Sequence, residues 1–145
     1  MPLLYLLLAL MFSLSVMSHV EKTSKNRGMA VAEIEAVSGS MLLYRNLVAS
    51  YASANPAQSG SVSDASLSMP NWYVKNPGFG NFITPGGSYV FYTQSLPGLV
   101  GALAKKTEST NVGVNQNGVL ISPNKVNPGI VLPAQIPNGA VVLVQ

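Results

Sequence analysis

Residues 29–52 read MAVAEIEAVSGSMLLYRNLVASYA and contain no proline and a single glycine, Gly39. Apolar side chains recur in this stretch at alternating steps of four and three residues, which places them on one stripe of a helix. Because Asn55 precedes Pro56, and proline disfavours helical backbone in the residue before it, the sequence predicts an amphipathic helix over residues 29–54. The members of the stripe are Ala30, Ile34, Val37, Met41, Tyr44, Val48 and Tyr51.

The stripe has two interpretations. Leu42, Leu43 and Leu47 widen the apolar face beyond a narrow seam, which favours packing of the helix on the protein's own sheet. The alternative is that the heptad spacing forms a coiled coil with a second copy of the chain, a homo-oligomer, or with another protein. On that alternative the candidate partner-contact residues are Ile34, Val37, Met41, Tyr44, Val48 and Tyr51.

Beyond this helix the chain changes to short apolar runs separated by proline and glycine. Residues 57–68 are rich in serine, alanine and glycine, a composition typical of a flexible loop. Turn signals, TPGG at 84–87 and NQNG at 115–118, separate predicted elements. We predict strands at 88–94, 112–114, 119–122 and 140–144, and a short helix at 99–106. The fold class is therefore α+β, with the long helix packed on a small antiparallel or mixed β-sheet in a single domain, residues 29–145.

Seven aromatic side chains lie in this strand-rich part of the chain. Because alternate residues of a strand face the same side, we expect most of them in the core and not on a binding platform. Residues 79–82 follow the turn signal at 76–78 and are interpreted as a loop, so its two phenylalanines are the expected exposed exceptions. The seven are Trp72, Tyr73, Phe79, Phe82, Tyr89, Phe91 and Tyr92.

The chain begins with an apolar segment that has no charged side chain from residue 2 to residue 20. Nineteen residues of helix extend about 28 Å, close to the roughly 30 Å of a bilayer core. We therefore predict a transmembrane anchor at 1–20, followed by a basic linker at 21–28. The alternative is a cleaved signal peptide, for which Ser13-Leu14-Ser15 supplies small residues, although no basic residue precedes the apolar run.

Charge is scarce, at 9% of residues, and most of the positive excess lies beside the anchor in Lys22, Lys25 and Arg27. From Gly28 onward there are five basic and four acidic residues, too few cations for a nucleic-acid-binding face. The basic flank favours a cytoplasmic domain by the positive-inside rule, whereas the neutral Ser- and Asn-rich body favours the opposite side. The sequence leaves the orientation open.

The residue inventory indicates that the protein is not an enzyme and has no cofactor or metal. The chain has no cysteine, and its one histidine, His19, lies at the edge of the apolar segment, which excludes a His-based triad or a His/Cys zinc site in the domain. Glu33 and Glu35 are two residues apart on a helix and face different directions. A Ser–Lys dyad is the remaining alternative, with candidate lysines Lys75, Lys105, Lys106 and Lys125.

Three segments resemble the PilM family of type IVB (thin) pilus biogenesis proteins, the short kind encoded on conjugative plasmids. They are MPLLYLLLALMFSLSVM at 1–17, AVAEIEAVSGSMLLYRNLVASYASANP at 30–56 and LPGLVGALAKKTESTNVGVNQNGVLISP at 96–123. The larger actin-like cytoplasmic protein that shares the name is a different protein. The resemblance covers the whole chain but supplies no catalytic motif, so no site residue is carried over.

The resemblance implies a non-enzymatic component of the pilus assembly apparatus in the bacterial inner membrane, with a periplasmic domain and other pilus assembly proteins as partners. The alternative is an exported binding module, a minor pilin or an adhesin with its signal peptide removed. A prepilin is cut after a glycine that precedes its apolar helix, which usually carries a glutamate. Here neither a preceding glycine nor an acidic residue between Tyr5 and Ser18 is present.

Overall fold

The structure, a computed structural model, describes residues 2–124 and 129–145. It confirms the predicted α+β class: a long N-terminal helix is followed by a small sheet and one short helix. A single 3₁₀ turn, Asp64–Ser66, lies in the loop after the first helix. The elements are α1 Pro2–Ala54, β1 Phe79–Thr84, β2 Gly87–Tyr92, α2 Leu99–Thr107, β3 Val112–Gln116, β4 Val119–Ile121 and β5 Val141–Val144.

The chain divides into two compact units, one ending at Glu33 and the other formed by Ile34–Gln145. In the first unit every described residue is helical and exposed, and α1 contains one stretch long and apolar enough to cross a membrane. Residues 21–28, predicted as a linker, are helical here. Gly28 costs a helix interior about 1 kcal/mol relative to alanine, which good helix formers on both sides readily offset.

The second unit contains a five-stranded sheet in the order β1-β2-β5-β3-β4, with every neighbouring pair antiparallel. The last strand along the chain, β5, lies in the centre. Leu143 is in register with Val90 of β2 on one side and with Val112 of β3 on the other. The sheet therefore closes only when the C-terminal strand inserts between two hairpins.

Both faces of the sheet are covered, each by a different part of the chain. The first face packs against α1 and α2 through buried residues such as Met41, Leu103 and Leu143. The second face packs against the irregular segment 130–140, which contributes Leu132 and Ile136. Neither helix lies on this second face, so a loop takes the place of a helix layer.

Both outer edges of the sheet are also paired. Gly60 and Ile83 exchange two backbone hydrogen bonds of 2.9 Å along the free edge of β1. At the other edge the N–H of Leu120 donates to the carbonyl of Ile130, at 2.9 Å. Each outer edge is therefore paired at one bridge with a loop of the same chain, which limits the length of edge open to strand addition in the described residues.

The interpretation of residues 79–82 as an exposed loop is wrong. They belong to β1, and Phe79 is 4% exposed in the core. The turn at 84–87 folds β1 back on β2, which pairs Phe79 with Tyr92 and Gly80 with Phe91. The other predicted strands and the short helix agree with the structure to within two residues, whereas the long helix, predicted to begin at residue 29, is continuous from Pro2 to Ala54.

We expect Gly113→Ala to destabilise the domain by about 1–3 kcal/mol, the usual cost of overpacking a close-fitting interior. A methyl group at position 113 would overlap the backbone carbonyl of Ile121, which cannot move without breaking the β3–β4 pair. Chemical denaturation of the full chain in detergent measures the change.

Gly101→Ala is the matched control, because no atom lies within 4 Å of the position its methyl group would take on α2. It should stabilise the domain by about 0.5–1 kcal/mol through helix propensity. Equal effects of the two substitutions would contradict the β3–β4 packing described above.

Candidate partner interface

The predicted contact stripe of α1 faces the protein's own core. Four of its six candidate residues, Val37, Met41, Tyr44 and Val48, are buried at 8% exposure or less. Ile34 and Tyr51 at its two ends are half-buried, and the Tyr51 hydroxyl donates to Gln58 Oε1 at 2.9 Å. The helix therefore packs on the sheet, and a partner cannot reach the four central residues while the domain is folded.

A buried amide fixes the helix, β1 and the loop after α1 to one another. The Nδ2 group of Asn81 donates to the Tyr44 hydroxyl at 2.7 Å and to the Val62 carbonyl at 2.9 Å. Its Oδ1 accepts the backbone N–H of Val62 at 2.7 Å. Asn81 is 6% exposed, so these hydrogen bonds take the place of those that its side-chain amide would otherwise make with water. The residue was not predicted as functional, because residues 79–82 were interpreted as a loop and its inward position on a strand was therefore not visible in the sequence.

An ion pair continues this network to the surface. Lys75 Nζ lies 2.8 Å from Asp64 Oδ1 and 5.4 Å from the centroid of the Tyr44 ring. The Tyr44 hydroxyl also donates to Asp64 Oδ1, at 3.4 Å. An ion pair this exposed contributes at most about 1 kcal/mol, so its main effect is to position residues 64–75 against α1.

The same segment contacts the outer side of α1 through a second pair of hydroxyls. Tyr73 OH donates to the backbone carbonyl of Ser40 at 3.1 Å, and Ser40 Oγ donates to Tyr73 OH at 3.1 Å. With Tyr73 held in this way, its two neighbours project outward. Trp72 is 74% exposed and Val74 is 85% exposed.

These residues form a shallow surface groove, which we call the Trp72 groove. Its cavity volume is about 340 Å³, and none of its lining residues is charged. Gly39 lies open on the helix side of the groove, with no atom within 4 Å of the position of a Cβ. Exposed tryptophan in an uncharged groove is the kind of surface that protein contacts use. The lining residues are Gly39, Ser40, Leu43, Trp72, Tyr73 and Val74.

Metal-ligating side chains do not converge in the described part of the chain. No group of three His, Asp or Glu residues there could hold a metal ion. Lys75 and Lys106 are paired with Asp64 and Glu35 respectively. Lys105 is exposed near the end of α2, and Lys125, the fourth candidate for a Ser–Lys dyad, lies outside the described residues. The absence of enzymatic activity stays a prediction.

Burial shifts the titration of the network around Tyr44. Desolvation raises the pKa of Tyr44 and that of Tyr73 above the ordinary value of 10.0. Partial burial alone would lower the pKa of Lys75, but hydrogen bonding to Asp64 and the neighbouring charges raise it above 10.5. All three groups therefore favour their protonated forms in the folded protein.

Fold and surface together define a small antiparallel α+β domain that follows an apolar helix and presents an uncharged groove. Among known proteins, the PilM family model matches residues 7–144, and the chain belongs to the PilM family. No curated protein matches it.

Solved structures that share the fold include two proteins of the same family description. One is a protein described as PilM from Escherichia coli B7A, with 25% identity and a TM-score of 0.60, over 79% of this chain and 93% of that one. The other is a protein described as PilM from Pseudomonas aeruginosa 2192, with 40% identity and a TM-score of 0.51, over 77% of this chain and 95% of that one.

We expect the free energy of unfolding to fall above pH 10, because folding raises the pKa values of Tyr44 and Lys75. A group with a raised pKa contributes its full stability below its unfolded-state pKa. That stability is lost as the pH rises through the folded-state pKa. Tyr44→Phe should remove its share and make the fall shallower. At neutral pH it should cost about 1–2 kcal/mol, because Asn81 loses an acceptor.

Tyr51→Phe is the control, since its hydroxyl bonds only the exposed Gln58 side chain. Denaturant titrations of the full chain at several pH values give both quantities. A Tyr44→Phe profile as steep as that of the unmodified protein would contradict this account of the network.

Proposed function

We propose that the chain is a non-enzymatic component of a type IV (thin) pilus assembly apparatus, held in the inner membrane by residues 2–20, with its folded domain in the periplasm. Family membership supports the pilus-related role. The membrane anchor and the role in protein contacts rest on one observation. An apolar helix that no protein layer covers is followed in the sequence by a domain with an uncharged, aromatic surface groove. Such a protein acts by holding others in place.

The membrane part of the proposal rests on side chains that have no protein to pack against. Leu3, Tyr5 and Phe12 are each more than 70% exposed, and the other apolar residues of the segment are similarly uncovered. An exposed helix that is apolar on all sides is stable in a lipid environment. We expect these pili to serve in conjugation.

The partner part rests on the Trp72 groove. Tryptophan is enriched among the residues that supply most of the binding free energy at protein interfaces. Trp72 is held beside Gly39 by the Tyr73–Ser40 hydrogen bonds. We propose that another pilus assembly protein binds here through an apolar side chain.

The alternative, an exported binding module, minor pilin or adhesin, has one observation in its favour. The core of the domain lies entirely within Ile34–Gln145, so its packing does not use the apolar segment.

We expect Trp72→Ser combined with Val74→Ser to abolish or sharply reduce pilus production when the variant complements a deletion strain. Loss of an interface tryptophan typically costs at least about 2 kcal/mol, or roughly 30-fold in affinity. Electron microscopy counts the pili, and immunoblotting confirms that variant and pilin are made.

Val131→Ser is the matched control, because Val131 is equally exposed at 74% but lies outside the groove. It should leave piliation unchanged. Normal pili with the groove variant would reject the groove as the contact, and normal pili in the deletion strain would reject the pilus role itself.

N-terminal sequencing of the natural protein separates the anchored form from the exported one. We expect the apolar segment to be retained and the protein to stay in the inner-membrane pellet after carbonate extraction. A mature chain that begins near Val16 and is soluble would favour the exported alternative.

A further inference from the structure

The sequence contains two Asn-Gly dipeptides, Asn117-Gly118 and Asn138-Gly139, and both asparagines are exposed. Asn-Gly is the dipeptide most prone to spontaneous deamidation, because glycine places no side chain in the path of the reaction. The backbone nitrogen of the glycine attacks the asparagine Cγ, a new C–N bond closes a five-membered succinimide, and the amide nitrogen leaves as ammonia with the backbone proton. Water then opens the ring to aspartate or isoaspartate.

The backbone N–H groups of both glycines donate hydrogen bonds to one residue, Asn115. The N–H of Gly118 donates to Asn115 Oδ1 at 2.8 Å. The N–H of Gly139 donates to the backbone carbonyl of Asn115, also at 2.8 Å. A nitrogen whose proton is held in a hydrogen bond gives up that proton less readily and is turned away from its own neighbouring side chain.

Asn115 is itself firmly fixed. It is 3% exposed, and its Nδ2 donates to the carbonyls of Ile136 and Pro137 at 2.9 and 3.1 Å. Its own N–H donates to the carbonyl of Ala140 at 2.9 Å. Every polar group of this residue thus holds either the β3–β4 turn or the loop at 136–140.

The two dipeptides also contact each other. Asn138 Oδ1 accepts the backbone N–H of Asn117 at 2.9 Å. In the β3–β4 turn, Asn117 and Gly118 both have positive φ, of 53° and 84°. This two-residue hairpin geometry is rigid, and it resists the rotation that brings the glycine nitrogen to Cγ.

We propose that Asn115 protects both Asn-Gly sites from deamidation in the folded protein. Its side-chain oxygen protects Asn117, and its backbone carbonyl, fixed by the two Nδ2 bonds, protects Asn138. Deamidation at either site adds a negative charge, and isoaspartate also adds a methylene group to the backbone, so protection preserves the hairpin and the loop that covers the second sheet face.

The test is site-resolved peptide mapping by mass spectrometry after incubation of the full chain in detergent at mildly alkaline pH. Asn115→Ala removes the side-chain acceptor, so we expect deamidation of Asn117 to rise about fivefold, the factor that corresponds to one hydrogen bond. Asn115→Asp keeps an acceptor for Gly118 but loses the Nδ2 donors. In this variant Asn138 should react faster while Asn117 stays close to the unmodified rate.

Asn81→Ala controls for general destabilisation, because it removes the other buried amide and leaves the Gly118 and Gly139 bonds in place. It should leave both rates nearly unchanged under conditions in which the domain is folded. If Asn115→Ala does not fold, the unmodified chain in urea replaces it, and both sites should react faster there than in buffer. Equal rates at Asn117 in folded and urea-unfolded chain would overturn the proposal.

Discussion

The hydrogen bond from Asn81 Nδ2 to the Tyr44 hydroxyl joins the helix to the sheet inside the core. Tyr44 is fully buried, so its hydroxyl needs partners from within the protein. Asn81 supplies one and, through Val62, also holds the loop that follows α1. The position of that loop decides where Trp72 lies. The exposed groove on the outside of the helix therefore depends on an amide buried on the inside.

Asn115 has the same role on the opposite face of the sheet. Asn81 binds the backbone of the loop over β1, and Asn115 binds the backbone of the segment 136–140. Both loops have few backbone hydrogen bonds of their own, so some of their buried peptide groups need side-chain partners. A neutral amide both donates and accepts, which suits this purpose without the desolvation cost of a charge. Both buried positions are therefore asparagine and not a charged residue.

Local patterns predicted much of the fold. The heptad spacing of residues 29–52 predicted the helix and which side of it packs, and glycine- and proline-containing turns separated most of the strands. Strand β1 was missed because Phe79 to Thr84 lies between two turn signals and gives few residues in which to see alternation. The central place of β5 was not predictable, because pairing between residues as distant as Val112 and Leu143 depends on tertiary packing.

The candidate site was less accessible to prediction than the fold, for a physical reason. An apolar stripe on a helix indicates burial but does not say whether the covering surface belongs to the same chain. Here the domain's own sheet covers Met41 and Val48, which leaves the outer side of α1 for other contacts. Trp72 was expected in the core because most aromatics are, and its exposure follows from Tyr73 bonding to Ser40.

Charge pairing within the domain bears on the contact proposed for the Trp72 groove. Asp64 is paired with Lys75 and Glu35 with Lys106, at 2.8 and 2.6 Å, so these four charges are largely satisfied without a partner. Complementary charge mainly accelerates association and makes it sensitive to salt. In the proposed contact, a groove without charged lining residues lacks that steering, so affinity there would come from apolar burial and shape. Such contacts persist at high ionic strength, where exposed ion pairs are screened.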